Sequence, residues 1–440
     1  YSCLGITCAD VGELLSDGDA YPGMESCLDV VDAVAEDTSW STTVILLAQI
    51  FVQSDVTLTI MPGVTVQSEV VDDSGSAPAL VVLPGAMLMA EGTADMPITF
   101  TSTASDRQLL APGLWGGLII MGNAPVYGGT QLVEGLTNYS YGGTNSTESS
   151  GSLKYVRVWY GGRASDMDNE INGLTLAGVG SGTTVDHIEV AFNVDDGVEM
   201  FGGAVNLKYV SVLFVGDDAI DAELGYQGKI QFAFVMLGAV GQHGVEVDSK
   251  GDGAPRSFPQ IYSATIVHHF AAVPSGAADD NSTATVRLRL GTGGEFANFV
   301  ITNVPTVGVE QNECGTELRT HELPADAPPD YLWFSSNNIM SGASGFAWFN
   351  LDASCSGLDT IIEADVKLSL MPTDASSESF VDPRPSADSP AFDNVDSTPT
   401  NDDFFTATTY KGAFDGTNVS TWLDGLSWLD DNLQLVTQIL

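Results

Sequence analysis

Positive charge is what this 440-residue chain has least of: 14 Lys and Arg stand against 58 Asp and Glu, a formal net charge of −44. So acidic a protein repels nucleic acid and anionic membranes. Its natural counterparts are divalent cations, or a saline medium in which solvated carboxylates resist aggregation. Long apolar runs are lacking too. Val44–Val52 and Ala79–Ala90 fall short of the ~20 residues that cross a bilayer, and Pro84-Gly85 breaks the second, so no membrane span is expected. No Gly-rich phosphate loop follows a strand and opens a helix. Cysteine is limited to Cys3, Cys8 and Cys27 near the start and Cys314 and Cys355 near the end. That clustering fits disulfides tying down chain ends in an oxidising compartment, with Cys314–Cys355 the favoured pair and the pairing of the other three open. The chain opens at Tyr1 without a Met or a charged-then-apolar leader, and reads as a mature secreted or cell-surface protein. Sequons at Asn138, Asn145, Asn281 and Asn418 are a handful that a Ser/Thr-rich chain yields by chance, so they do not establish glycosylation.

Helical periodicity is scarce, and repetition takes its place. Asn193-Val194-Asp195-Asp196-Gly197-Val198-Glu199 is answered by Val215-Gly216-Asp217-Asp218-Ala219-Ile220-Asp221, and more loosely by Gly241-Gln242-His243-Gly244-Val245-Glu246. One Asp pair begins at Asp195 and the next at Asp217, and each follows an apolar strand-like run, His187–Phe192 and Tyr209–Phe214. The turns Pro62-Gly63 and Pro84-Gly85 share the same spacing. Strand-rich repeats of this length predict an all-β solenoid, a right-handed parallel β-helix with coils of ~22 residues.

An open β-helix end is a sheet edge that pairs with other chains unless covered. Residues 1–43, with their cysteines and helix-like spacing at Val11–Leu15 and Leu28–Val34, are expected to cap the first coil. Residues 44–305 carry the coils, with a Gly/Ser/Thr/Asn-rich surface insertion at Tyr127–Ser152. Residues 306–440 are expected to wrap the far end. Trp422, Leu426, Leu429, Leu433, Val436 and Leu440, three or four residues apart, predict a terminal amphipathic helix with Ser420 or Thr421 as N-cap.

Several segments together resemble a family of secreted right-handed parallel β-helix proteins on the surfaces of Gram-negative, often marine, bacteria. They are Val56–Gly63 (VTLTIMPG), Ala90–Phe100 (AEGTADMPITF), Leu114–Pro125 (LWGGLIIMGNAP), Glu170–Thr184 (EINGLTLAGVGSGTT), Asp195–Gly203 (DDGVEMFGG), Gly216–Phe232 (GDDAIDAELGYQGKIQF), Asp382–Pro390 (DPRPSADSP) and Tyr410–Phe414 (YKGAF). The resemblance runs from about Leu46 to Leu429 and implies the fold and a surface location, with no established reaction to carry over.

Stacking turns the acidic repeat into a ladder. Two carboxylates ~4.8 Å apart repel by about 3.5 kcal/mol at an effective dielectric of 20, and a fold compensates with a bound cation, a shared proton or full solvation. Asp195, Asp196, Asp217, Asp218 and Asp221 are the candidate ligands, with Glu199, Glu223, Glu246 and Asp248 on the same turns. This all-oxygen set suits Ca²⁺. An alternative comes from a second resemblance. Asp196-Gly197, Gly216-Asp217-Asp218, His243-Gly244 and Arg287-X-Arg289 follow the active-site order of polygalacturonase-type glycoside hydrolases, which implies Asp196, Asp217, Asp218 and His243 as catalytic groups. His243 departs from the Gly-His-Gly form of that family, Arg287-X-Arg289 from its Arg-X-Lys form, and so acidic a chain repels a polyanionic pectin. Trp115, Trp159 and Trp333 are available to stack on sugar rings, although packing is their commoner use. The preferred reading is a non-catalytic structural or adhesive surface protein, self-assembling into a filament or layer and binding Ca²⁺. A polysaccharide-active hydrolase or lyase, or a carbohydrate-binding protein without turnover, is the alternative.

Overall fold

The computed structural model describes residues 2–4, 33–69, 77–104, 111–163, 171–269, 284–323, 330–358, 362–370, 380–400 and 402–436. The strand Val198–Phe201 shows how they are built. Val198 and Met200 point into the core, while Glu199 and Phe201 point out, because successive side chains on a strand alternate. Leu80, Leu118, Leu174, Val198 and Ile220 stand on one another in register, one per coil. All five are buried. Each coil thus covers the apolar face of the last, and no coil has a core of its own. Among the described residues, eighteen strands join in one hydrogen-bonded array and eleven in another, and pairing within both arrays is parallel. The chain is a right-handed parallel β-helix. No helix among the described residues is long and apolar enough to cross a membrane.

Ile188 pairs with Val210 and Val198 with Ile220, so the period of the acidic repeats is the coil itself. The Pro-Gly turns are a different matter. Asp55 donates its N–H to the carbonyl of Gly85, whereas the N–H of Gly63 donates to Met96, so the two turns sit at different corners. The coil that contains them is longer, since it carries Thr57 round to Met87, and equal spacing along the chain there does not mean equal place in the coil. The Tyr127–Ser152 insertion also does more than cover surface. Val133, Leu136 and Tyr141 are buried and cluster with Ile119, Ala177 and Phe201 on the outer face of the smaller array.

Parallel stacking continues through Val307–Asn312 and Ala347–Leu351. Cys314 and Cys355, whose Cα atoms are 5.3 Å apart, form the expected disulfide beside these last strands. Residues 5–32 lie outside the described ones, so the helix-like cap and the pairing of Cys8 and Cys27 do too, as does the side chain of Cys3. Ala33–Val34, at the end of the second helix-like spacing, is a strand paired with Phe51 and Val52.

The chain end departs most from expectation. Instead of an amphipathic helix it forms a strap across the larger array, with one helical turn at Trp428–Asp431 capped by Ser427. Leu426 and Leu429 are buried, but Leu433 is 81% exposed. The turn ends where Leu433 takes a left-handed φ of 57°, and ahead of it the chain is held by Arg157, buried on the array. Its guanidinium bonds the carbonyls of Leu426 at 2.7 Å and Gly425 at 3.0 Å, and Asp431 at 3.0 Å. The carbonyl of Leu426, which a continuing helix would pair with its own backbone, is held by the coil instead.

The strap lies on two aromatic columns. Tyr155, His187, Tyr209 and Phe232 stack at centroid distances of 4.4, 4.2 and 4.9 Å. Tyr160, Phe192 and Phe214 stack at 5.3 Å each. All seven have positive φ, from 48° to 64°. That conformation costs a non-glycine residue roughly 1–2 kcal/mol, and each stacked pair contributes about 0.5–1.5 kcal/mol against it.

Candidate metal centre

The acidic corners are built by hydrogen bonds from coil to coil. Asp196 is buried, and its Oδ1 accepts the backbone N–H of Asp218 one coil on, at 2.8 Å. Asp218 repeats the arrangement: its Oδ1 accepts the N–H of His243 at 2.8 Å and lies 2.7 Å from His243 Nδ1. The second aspartate of each pair therefore caps an amide that the next corner leaves without a backbone partner. Asn193 braces the first corner, its Nδ2 donating to the carbonyl of Asp196 at 2.7 Å. Asp195 and Asp217, the first of each pair, are less enclosed than the second.

On the strands that follow, the outward positions form a row: Glu199, Asp221, Glu246, Arg287 and Glu310 pair in that order. Its two ends differ in charge. Arg287 lies 3.2 Å from Glu246 and 3.3 Å from Glu310, and Arg289 lies 3.1 Å from Glu246 and 2.6 Å from Asp248. Burial pushes Asp248 up to about 6, with the Arg289 bond holding it down. At the other end, none of Asp196, Glu199 and Asp221 makes an ion pair with Lys or Arg among the described residues. Their carboxyls are pushed far above the ordinary carboxylate range, first by burial, then by one another and by Asp195, Asp217, Asp218, Glu223, Glu134, Glu246 and Asp248.

Three sets of side chains bring their ligand atoms within 4.8 Å of one another: Asp196 with Glu199 and Asp221, Asp195 with Asp196 and Asp217, and Asp218 with His243 and Glu246. The first set has further oxygens unaccounted for. Oδ1 of Asp221 is buried without a hydrogen-bond partner. So are Oδ1 of Asn172 and of Asn193, although the Asn172 amide nitrogen donates to Glu199 and Asn193 braces Asp196.

The candidate ligands named from sequence, Asp195, Asp196, Asp217, Asp218 and Asp221, are thus gathered into overlapping clusters, with Asp218 turned toward His243. Asn172 and Asn193 were missed, and their positions just ahead of Gly173 and Asp195-Asp196 were the only signal. Arg287-X-Arg289 supplies counter-ions to Glu246, Asp248 and Glu310. Asp218 and His243 are 3% and 1% exposed, out of reach of a polymer. Trp115, Trp159 and Trp333 are all buried, with indole N–H groups donating to Trp159 O, Glu189 and His321 O. Asn138, Asn145 and Asn418 lie at the surface, and Asn281 lies outside the described residues.

Residues 34–327, more than half of the chain, match the model of a protein family described as the pectate-lyase like beta helix domain. No curated protein and no solved structure matches the chain.

Proposed function

The chain belongs to the pectate-lyase-like β-helix family, and from that premise we propose a non-catalytic extracellular role: a rigid structural or adhesive rod whose acidic corners hold Ca²⁺. The observation that carries the reading is the set Asp196, Glu199 and Asp221, the first two buried and the third half-buried, which makes no ion pair with Lys or Arg among the described residues and feels Arg289 only at longer range, with buried oxygens nearby that have no hydrogen-bond partner. Ca²⁺ takes six to eight oxygens at about 2.3–2.6 Å, so oxygens on opposite sides of the ion stand about 4.6–5.2 Å apart. A spread within 4.8 Å suits that ion. In a β-helix such an ion ties one coil to the next, much as Arg287 does further along the same row.

The disulfide and the net charge of −44 support a secreted or cell-surface location. A solenoid whose two ends differ is also suited to non-closing head-to-tail contacts, and divalent cations between acidic faces would favour a filament or layer. Calorimetric titration of Ca²⁺ into chelator-treated protein tests the site: binding in the wild type, weakened in Glu199→Gln and Asp221→Asn, is expected, and no binding in the wild type would end the proposal. Sedimentation with and without Ca²⁺ tests assembly, and a monomer under both conditions counts against it.

Family membership favours a second reading, a polysaccharide-active protein working through Asp196, Asp217, Asp218 and His243. The burial of Asp218 and His243 weighs against it. Reducing-sugar release from a glycan panel, abolished in Asp217→Asn, would establish it over the first. Glycan-array binding without product would mark a carbohydrate-binding protein.

A further inference from the structure

The coils run out at Ala347–Leu351, the last strand of the smaller array. It pairs there with Val307–Asn312, and Asp352 just beyond it donates its N–H to Gln311 O at 3.0 Å. Backbone groups alternate in direction along a strand. Asn350 therefore faces Val307–Asn312 as Asp352 does, while Phe349 and Leu351 turn their N–H and C=O groups the other way. Among the described residues nothing bonds them there.

A sheet edge is ordinarily blunted by charge, by proline or by a covering segment. Residues 331–351 hold no charged side chain and no proline, in a chain of net charge −44. The side chains at this end are apolar as well. Phe349 lies over Phe334 and His321, with ring centroids 6.2 and 5.8 Å away, and it is only half-buried, like Phe346 and Trp348. Leu318 and Leu323, on either side of His321 in the chain, are exposed. The first coil differs, since Val34 and Trp40 in its strands are buried. The bare edge belongs to the far end of the rod.

We propose that this edge pairs antiparallel with the same edge of a second copy of the chain, giving a closed tail-to-tail dimer centred on Asn350. A two-fold axis at Asn350 sets Phe349 of each copy against Leu351 of the other. These become the hydrogen-bonded pairs of an antiparallel ladder, each exchanging both N–H···O bonds, and the two Asn350 residues take the closer, non-bonded position between them. Phe349 continues the inward row of Val309, so the pairing also closes one core over the other. A second copy is the partner that fits because the strand is its own complement about Asn350, apolar against apolar. Two chains of net charge −44 also repel along their sides, and the uncharged end is where they meet without that penalty. The pairing needs no Ca²⁺. It uses the end that a head-to-tail contact would require, so a layer held by cations would be built from dimers joined through their sides.

Sedimentation velocity of the full chain in EGTA, over a concentration series, is expected to show a dimer of twice 46.2 kDa. Leu351→Pro deletes an edge N–H that makes no bond within the coil, and should raise the dissociation constant at least about tenfold. Asn350→Cys should form a disulfide between copies on mild oxidation, because facing Cα atoms of a non-bonded antiparallel pair stand about 4.5 Å apart, within disulfide range. Ala347→Cys, further from the axis, should not cross-link beyond the wild-type background of the native cysteines. A wild-type monomer throughout, growth past the dimer into head-to-tail polymers, equal cross-linking of the two cysteine variants, or a dimer unaffected by Leu351→Pro overturns the proposal. The wild-type measurement needs no variant to fold, and a monomer that still binds Ca²⁺ separates this failure from failure of the metal centre.

Discussion

Calcium binding at the acidic corners should be coupled to protons, and the sign and size follow from the site. Asp196, Glu199 and Asp221 hold their ligand oxygens within 4.8 Å. One pair at that distance repels by about 3.5 kcal/mol at an effective dielectric of 20, which pushes the carboxyl pKa values up. Burial acts in the same direction, so without a cation the folded cluster keeps protons that the unfolded chain has lost. A carboxyl whose folded pKa is raised contributes stability fully below its unfolded pKa, and loses it as pH rises through the folded one. Asp248, raised from 3.8 to about 6, marks the window for a group beside the cluster, and Glu189, buried under the strap on the other array and raised from 4.5 to about 7, adds to the same fall, so the window is roughly pH 4 to 7. For Glu189 alone the shift corresponds to about 3 kcal/mol. Ca²⁺ needs the ionised carboxylates, so it must expel the retained protons, and each proton displaced weakens binding about tenfold per pH unit below the folded pKa. Melting curves in EGTA should fall from pH 5 to pH 8, with the fall reduced in Glu199→Gln, and Ca²⁺ should flatten or reverse it. Calorimetry in two buffers of different ionisation enthalpy should report proton release on binding. Calcium affinity independent of pH without proton release, or an EGTA melting temperature that rises over that range in the wild type, would refute the reasoning.

Three further outcomes are expected. Arg287→Leu leaves Glu310 without its buried counter-ion and Glu246 with Arg289 alone, and should destabilise the fold by about 3–5 kcal/mol, read from the denaturant midpoint. Arg157→Ala removes the bonds to Gly425, Leu426 and Asp431 and should cost about 3 kcal/mol, with the strap cut by protease before the coils. Cys355→Ser opens the loop that the disulfide closes and should cost at most about 4 kcal/mol, seen as a lower melting temperature than the oxidised wild type.

The solenoid follows from the amino-acid order alone. In a β-helix the neighbour of a residue is the residue one coil away, so a repeat that carries Asp195 to Asp217, with apolar residues alternating in Val198–Phe201 and Ile220–Glu223, is already a contact map. The gathering of the acidic residues was legible for the same reason, and the Cys314–Cys355 bond from the clustering of cysteines at the two chain ends. Even the aromatic columns left a trace, since one interval separates Tyr155 from Tyr160, His187 from Phe192, and Tyr209 from Phe214. Where coil length varies that map fails, and Pro62-Gly63 and Pro84-Gly85 misled. Which carboxylates have a counter-ion is settled only in three dimensions, because Arg287 reaches Glu246 across a coil much longer than the acidic repeat, which no fixed period predicts. The same holds for the capping of amides by Asp196 and Asp218, and for the apolar stripe from Trp422 onward, which becomes a strap. Arg157, far earlier in the chain, holds carbonyls that a helix would otherwise have kept, and such a bond acts through space where a sequence pattern records only its neighbours.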